Sequence, residues 1–242
     1  YKRQGSAGNV LRSVDGRGIL GSRGIADHRK LARNTGAGWG MMDYVLQSAV
    51  EVLFTSEYKT LNSQTAIGVG AGSNGTTSGG SNAYANNSTP NGYVGNCRYR
   101  GIESLWGVGM TWIDGLLVNE ASPMTVFYTN NTGLFGESSV VGYTTMGSTW
   151  TVYGGGAYWG DAWNVVNLGV HPFLFPYVNG GSTTTKFCDF GYSPNTFTGT
   201  YGVLCVGTNN NTADGGWWYR EANSRDRSDA YVMARLSYSP QS

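Results

Sequence analysis

Apolar residues along this chain keep a helical period in one place. Met42, Val45, Leu46, Ala49, Val50, Leu53 and Phe54 recur at three-and-four spacing, so residues 42–58 read as a helix with that stripe turned to the core. Asp43 either caps this helix or sits in its first turn, where its charge suits the helix dipole. From about residue 105 the pattern changes, and short apolar-aromatic stretches alternate with Gly, Asn and Ser. Residues 109–115, 124–128, 149–153, 202–206 and 230–236 read as short strands. No strand–helix alternation is visible, which disfavours a parallel doubly wound sheet. The predicted class is α+β, with irregular, mostly antiparallel strands, one clear helix and long loops.

Composition narrows this picture. The 242 residues include 38 glycines, against the roughly 17 that average usage of about 7% would supply. No Gly-X-Y period accompanies them, so a collagen-like chain is excluded. Eight Trp and sixteen Tyr within a 40% hydrophobic chain also exclude generic disorder. Residues 68–96 form a Gly/Ser/Asn/Thr tract that reads as a long surface loop, and its two glycosylation sequons read as chance.

Net charge is +1, which argues against a nucleic-acid binder held by phosphate contacts. The balance is uneven: residues 1–40 carry eight Lys/Arg against Asp15 and Asp27, so they sum to +6 and the rest to −5. Residues 1–38 therefore read as a basic, extended N-terminal arm, solvated or docked on a neighbouring subunit, and residues 39–242 as a single domain. Cys97, Cys188 and Cys205 fit neither a disulfide framework nor a zinc pattern, and read as reduced structural thiols. No apolar run approaches the roughly 20 residues of a membrane span. A chain beginning at Tyr1 reads as a processed product or a fragment.

Two motifs carry a family resemblance. The stretch from Gly101-Ile102-Glu103-Ser104-Leu105-Trp106-Gly107 through Trp112-Ile113-Asp114-Gly115 resembles an element of the formylglycine-generating-enzyme-like branch of the C-type lectin fold. Gly215-Gly216-Trp217-Trp218-Tyr219 through Tyr231-Val232-Met233-Ala234-Arg235-Leu236-Ser237 resembles the strand-loop-strand element that closes that branch. Leu61-Asn62-Ser63-Gln64, after the helix, is similar to a segment of phage tail and host-recognition proteins. The resemblance covers about a third of the chain and implies a C-type lectin-like fold. In the first motif Trp106 and Trp112 read as core plugs on either side of sharp backbone, and Asp114-Gly115 as a turn.

The resemblance also says what this chain lacks. Enzymatic relatives carry a reactive cysteine pair in the closing element, and residues 213–238 contain no cysteine. Two histidines, His28 and His171, cannot build the three-His iron site of related sulfoxide synthases, and His171 reads as a core or turn histidine. The Glu-Pro-Asn and Trp-Asn-Asp calcium motifs of sugar-binding lectins are absent, since Trp163-Asn164-Val165 departs at its third position. No Gly-x-Ser-x-Gly elbow, Walker loop or HExxH is present either. The reading is non-enzymatic, with no catalytic residue, cofactor or metal.

Residues 208–231 concentrate side chains suited to recognition, and three of the eight Lys/Arg beyond residue 40 fall there. The expected ligand-binding set is Asn210, Trp217, Tyr219, Arg220, Glu221, Asn223, Arg225, Asp226, Arg227 and Asp229, on a loop between two strands. The same segment resembles the region that diversity-generating retroelements vary in proteins of this fold. A near-copy of its DNA beside a reverse-transcriptase gene would support that origin.

The leading expectation is a receptor-binding or host-attachment domain of a phage tail or virion surface, or of a bacterial cell surface. Its expected partners are a cell-surface protein or glycan, other virion proteins, and copies of itself, a trimer among the options. A second reading is a virion structural component, a capsid decoration or tail-assembly protein, docking through the basic arm.

Overall fold

The computed structural model describes residues 4–7, 9–13, 18–68, 97–120, 124–150, 155–160, 163–167, 172–176, 180–182, 184–185, 187, 189–193, 201–207, 216 and 220–239. A hairpin, β1 (Gln4–Ala7) and β2 (Val10–Ser13), leads into helix α1 (Ile25–Arg33) and strand β3 (Trp39–Met41). Helix α2 (Tyr44–Tyr58) and the short α3 (Ser63–Ile67) follow, then the hairpin β4 (Arg98–Tyr99) and β5 (Ile102–Glu103). Next come β6 (Met110–Asn119), β7 (Met124–Tyr128), β8 (Thr144–Trp150), β9 (Gly155–Tyr158), β10 (Trp163–Asn167), β11 (Pro172–Pro176) and β12 (Phe190–Ser193). The chain closes through β13 (Tyr201–Val206), β14 (Arg220–Asn223), β15 (Val232–Met233) and β16 (Leu236–Tyr238).

One sheet of eight strands runs β8-β7-β6-β13-β14-β12-β9, with β15 beside β6. Its pairs are antiparallel except β12–β14 and β15–β6. Among the described residues, three helices and many strands make a mixed α and β architecture, as the periodicity predicts. β16 returns to pair with β3, so the last described strand lies against one of the first.

Strand β6 organises the interior. Leu204 faces Ile113 and Val203 faces Leu117 across the β6–β13 pairing, so residues 114–116 bulge out of the ladder. Gly115 adopts φ +83, and a Cβ there would lie 2.6 Å from the Thr129 carbonyl. Only glycine fits that backbone. Asp114-Gly115, expected as a turn, is therefore a bulge inside a ten-residue strand.

The bulge divides the strand's edge, leaving β15 on the first half and β7 on the second. It also changes which residues face which side. Met110, Trp112 and Leu117 join one core with Leu11, Ile25, Leu31 and Val203. Ile113, Leu116 and Val118 join the other, with Tyr44, Phe54, Trp106 and Trp159. Trp106 and Trp112 are fully buried, as expected of core plugs.

Helix α2 starts where the pattern placed it. The Asp43 side chain accepts from the Leu46 amide at 2.9 Å, so this residue is the N-cap. The buried face differs from the expected one. Tyr44, Gln47, Ser48, Glu51 and Phe54 turn inward, while Leu46 and Leu53 are 41% and 46% exposed. Two anchors set this rotation. The cap is tied to the bulge, with the Asp114 amide donating to Met42 O at 3.1 Å, and the large rings go inward. Phe54 meets Trp106 edge-on at 6.3 Å and Tyr44 meets Tyr128 at 6.4 Å.

The extended arm expected over 1–38 is corrected at residues 25–33, which form α1. Ile25, Leu31 and Ala32 pack into the core, and Arg29 is buried with them. Its guanidinium donates to both Asp114 carboxylate oxygens, at 2.6 Å from Nη2, and to Glu137. A helix with four charged residues in nine hides its apolar stripe from a sequence pattern, and its buried cation finds partners far along the chain. Cys97 and Cys205 are free and buried thiols, while Cys188 and His171 lie outside the described residues. Nearly all of the 68–96 tract does as well; Gly68 caps α3, and its carbonyl accepts from Trp106 Nε1 at 2.9 Å. Among the described residues, no helix is long and apolar enough to cross a membrane.

Candidate functional site

Of the ten expected ligand-binding residues, Asn210, Trp217 and Tyr219 lie outside the described residues. The other seven do not form one loop. Residues 220–223 are strand β14, paired with β13 on one edge and β12 on the other, with Arg220 opposite Val206 and Gly191. The polar sequence of this stretch hid a central strand. Glu221 and Asn223 point into the protein and are buried.

Arg227 accounts for those buried polar groups. Its Nη1 donates to Glu221 Oε1 and Asn223 Oδ1, and its Nε donates to Asp229 Oδ2. Burial alone would loosen the Arg227 proton, but the facing carboxylates of Glu221 and Asp229 outweigh it and hold the guanidinium charged. Asn223 Nδ2 lies 3.6 Å from Cys205 Sγ, and burial pushes that thiol well above its usual range. These four polar residues form a hydrogen-bonded clamp that runs from the buried Glu221 and Asn223 out to the half-exposed Asp229.

Above the clamp the chain turns outward. The Arg227 amide bonds to Ser224 O at 3.1 Å and closes a turn that exposes Arg225 and Asp226. Ser228 is exposed as well, and Tyr231 is 41% exposed. Of the expected residues, Arg225 and Asp226 are thus exposed on a described loop, and Asp229 is half-exposed beside them. Ser228 and Tyr231 join them, though the expected set did not include them.

A second segment that sequence reasoning missed adjoins this loop. The Ser22 amide donates to Asp229 O at 2.8 Å, and the Ile25 amide to Arg225 O at 3.2 Å. A Cβ on Gly21 would meet Ala230 O at 2.0 Å, and one on Gly24 would meet Arg225 O at 2.9 Å. Gly21 and Gly24 were the available signal: two glycines, three apart, just before a helix, allow two backbones to touch. His28 closes the packing behind them. Its ring nitrogens lie 3.2 Å and 3.0 Å from Gly24 O and Leu20 O, and burial holds its imidazole below the usual value.

The 208–231 stretch is also anchored at Gly216. The Gly216 amide donates at 2.9 Å to Asp189, a fully buried carboxylate that also accepts from Gln64 at 3.1 Å. A side chain at Gly216 would collide with Ser63 Oγ and both Asp189 oxygens. Asp189 and Glu221 therefore fix two points of the segment from beneath. Among the described residues, no group of three or more His, Cys, Asp or Glu could hold a metal ion.

This arrangement sets a few exposed side chains beside a hydrogen-bonded polar cluster. No family model matches the chain, and no curated protein matches it.

Proposed function

We propose that this protein is a non-enzymatic receptor-binding or host-attachment domain, carried on a phage tail or another virion surface, with a C-type lectin-like fold. The observation that carries the reading is the loop at 225–231. It presents Arg225, Asp226, Ser228 and Tyr231 to solvent beside a half-buried ion cluster, in which Arg227 and Asp229 cover the buried Glu221 and Asn223. Because the support is already satisfied, the exposed groups can meet a partner without reorganising the loop, which lowers the cost of binding. The resemblance of the 101–115 and 215–237 motifs to the lectin-like branch supports the same reading.

In this reading Tyr231 supplies apolar contact and Arg225 and Asp226 supply orientation. Repetition of a modest contact over a virion surface raises avidity. The test is adsorption of labelled protein to a panel of bacterial cells. Arg225→Ala and Tyr231→Ala should each weaken binding about tenfold or more, with no change in thermal stability. Unchanged adsorption in both variants would reject the site.

A further inference from the structure

A cavity of about 1030 Å³ opens on another part of the molecule, between α1, residues 36–41, the start of α2, the 130–135 loop and the end of β16. No residue of the 220–231 stretch lines it. Its wall carries two aromatic rings, Trp39, which is half-buried against the core, and Tyr238, which is exposed. Trp39 and Tyr238 face each other across the β3–β16 pair with ring centroids 5.2 Å apart, and Tyr238 is 52% exposed.

The cavity's polar groups are mixed in sign. Arg29 and Arg33 line it together with Asp43 and Asp114, so its formal charges cancel. Arg29 and Asp114 are buried and locked to each other at 2.6 Å. Asp43 and Asn130 line it as well. Asp43 spends its cap on the Leu46 and Val45 amides, and a carboxylate offers about four acceptor positions, so capacity remains.

Flat aromatic surface beside planar amide and carboxylate groups, with no net charge, suits a neutral ligand rich in hydroxyls on an apolar C–H frame. Pockets of roughly 300–1,000 Å³ hold ligands larger than a single small ring. We propose that this cavity is a second binding site, for a short neutral saccharide. One sugar ring lies against Trp39 and Tyr238, and its hydroxyls donate to Asp43 and the Asn130 carbonyl. This site stands independently of the 225–231 surface.

The test titrates the full chain with maltotriose, cellotriose and triacetylchitotriose at millimolar concentration, read by calorimetry. Inorganic phosphate and tetramethylammonium serve as charged comparators. At least one trisaccharide should bind. Tyr238→Leu should weaken it about tenfold, since it keeps apolar area but removes the ring. Asp43→Asn should also weaken it, because asparagine still caps the helix and only the charge is lost. The exposed Asn130→Ala gives a third variant that does not touch the core. Arg225→Ala should leave saccharide binding unchanged, which separates this site from the proposed receptor surface. Binding by no trisaccharide, equal binding by all three cavity variants, or tighter binding of either charged comparator would overturn the proposal.

Discussion

Helix α1 carries four charged residues in nine and packs into the core, whereas α2 carries two in fifteen and leaves two leucines in solvent. Composition alone would assign them the opposite roles. In α1, Arg29 is buried because Asp114 and Glu137 meet it there, and Asp114 reaches that place through the bulge in β6. In α2, the cap at Asp43 and the rings of Tyr44 and Phe54 choose the rotation, and Gln47 and Glu51 turn inward together, bonded at 2.8 Å. Partners elsewhere in the chain therefore decided what each helix buries. Hydrophobicity along the helix itself did not.

The sharpest way to break this comparison is to truncate neighbouring residues of α2. Phe54→Ala should cost about 3–5 kcal/mol. Leu53→Ala should stay within about 0.5 kcal/mol, as a surface change does. Urea denaturation of both variants measures the contrast, and equal losses would mean that the helix is rotated differently.

For α1, Arg29→Ala strands the carboxylates of Asp114 and Glu137 and should cost about 3–5 kcal/mol, while Arg29→Met with Asp114→Leu and Glu137→Gln should recover most of the loss. The single variant should also show a larger pH dependence than the intact protein. Burial already raises the Asp114 carboxyl, and Arg29 opposes that rise. Without Arg29 the folded state holds the Asp114 proton to higher pH than the unfolded chain does. Stability should then fall as pH rises through the carboxylate range and level off above the folded value. A pH-independent loss would show that the pair contributes packing rather than charge.

The smallest effect expected is at the joint between the helices. Asp43→Ala should cost about 1 kcal/mol through the lost cap, and Asp43→Asn much less. Thermal melts of the two variants check this, and equal losses would assign the cost to the charge.

Particular residues show how much was legible. The extent of α2, the strand at 124–128 and the two buried indoles followed from spacing and residue type, because neighbours along the chain carry those signals. The stretch read as one strand over 230–236 is two short strands, β15 and β16, with Ala234 and Arg235 between them. Arg235 is buried there and donates to Ser104 O at 2.5 Å, a contact that spacing could not suggest. At the candidate site, Arg225 and Asp226 stand exposed as a polar run implies, but Glu221 and Asn223 look the same in sequence and lie buried. Arg227 makes that burial affordable, and its reach depends on the turn at 225–226.

The sequence by itself determined the α+β class, the start of α2 at Asp43, the core tryptophans and a polar C-terminal stretch rich in recognition side chains. Each depends on local spacing, capping or side-chain size. Only the tertiary structure decided which face of α2 is buried, that α1 exists within the basic leading segment, and which C-terminal polar residues face solvent. Those outcomes rest on pairs such as Arg29 with Asp114, Ser22 with Asp229, and Gly216 with Asp189. A buried charge or amide is tolerated only where a distant partner meets it, and no local pattern states where that partner will be.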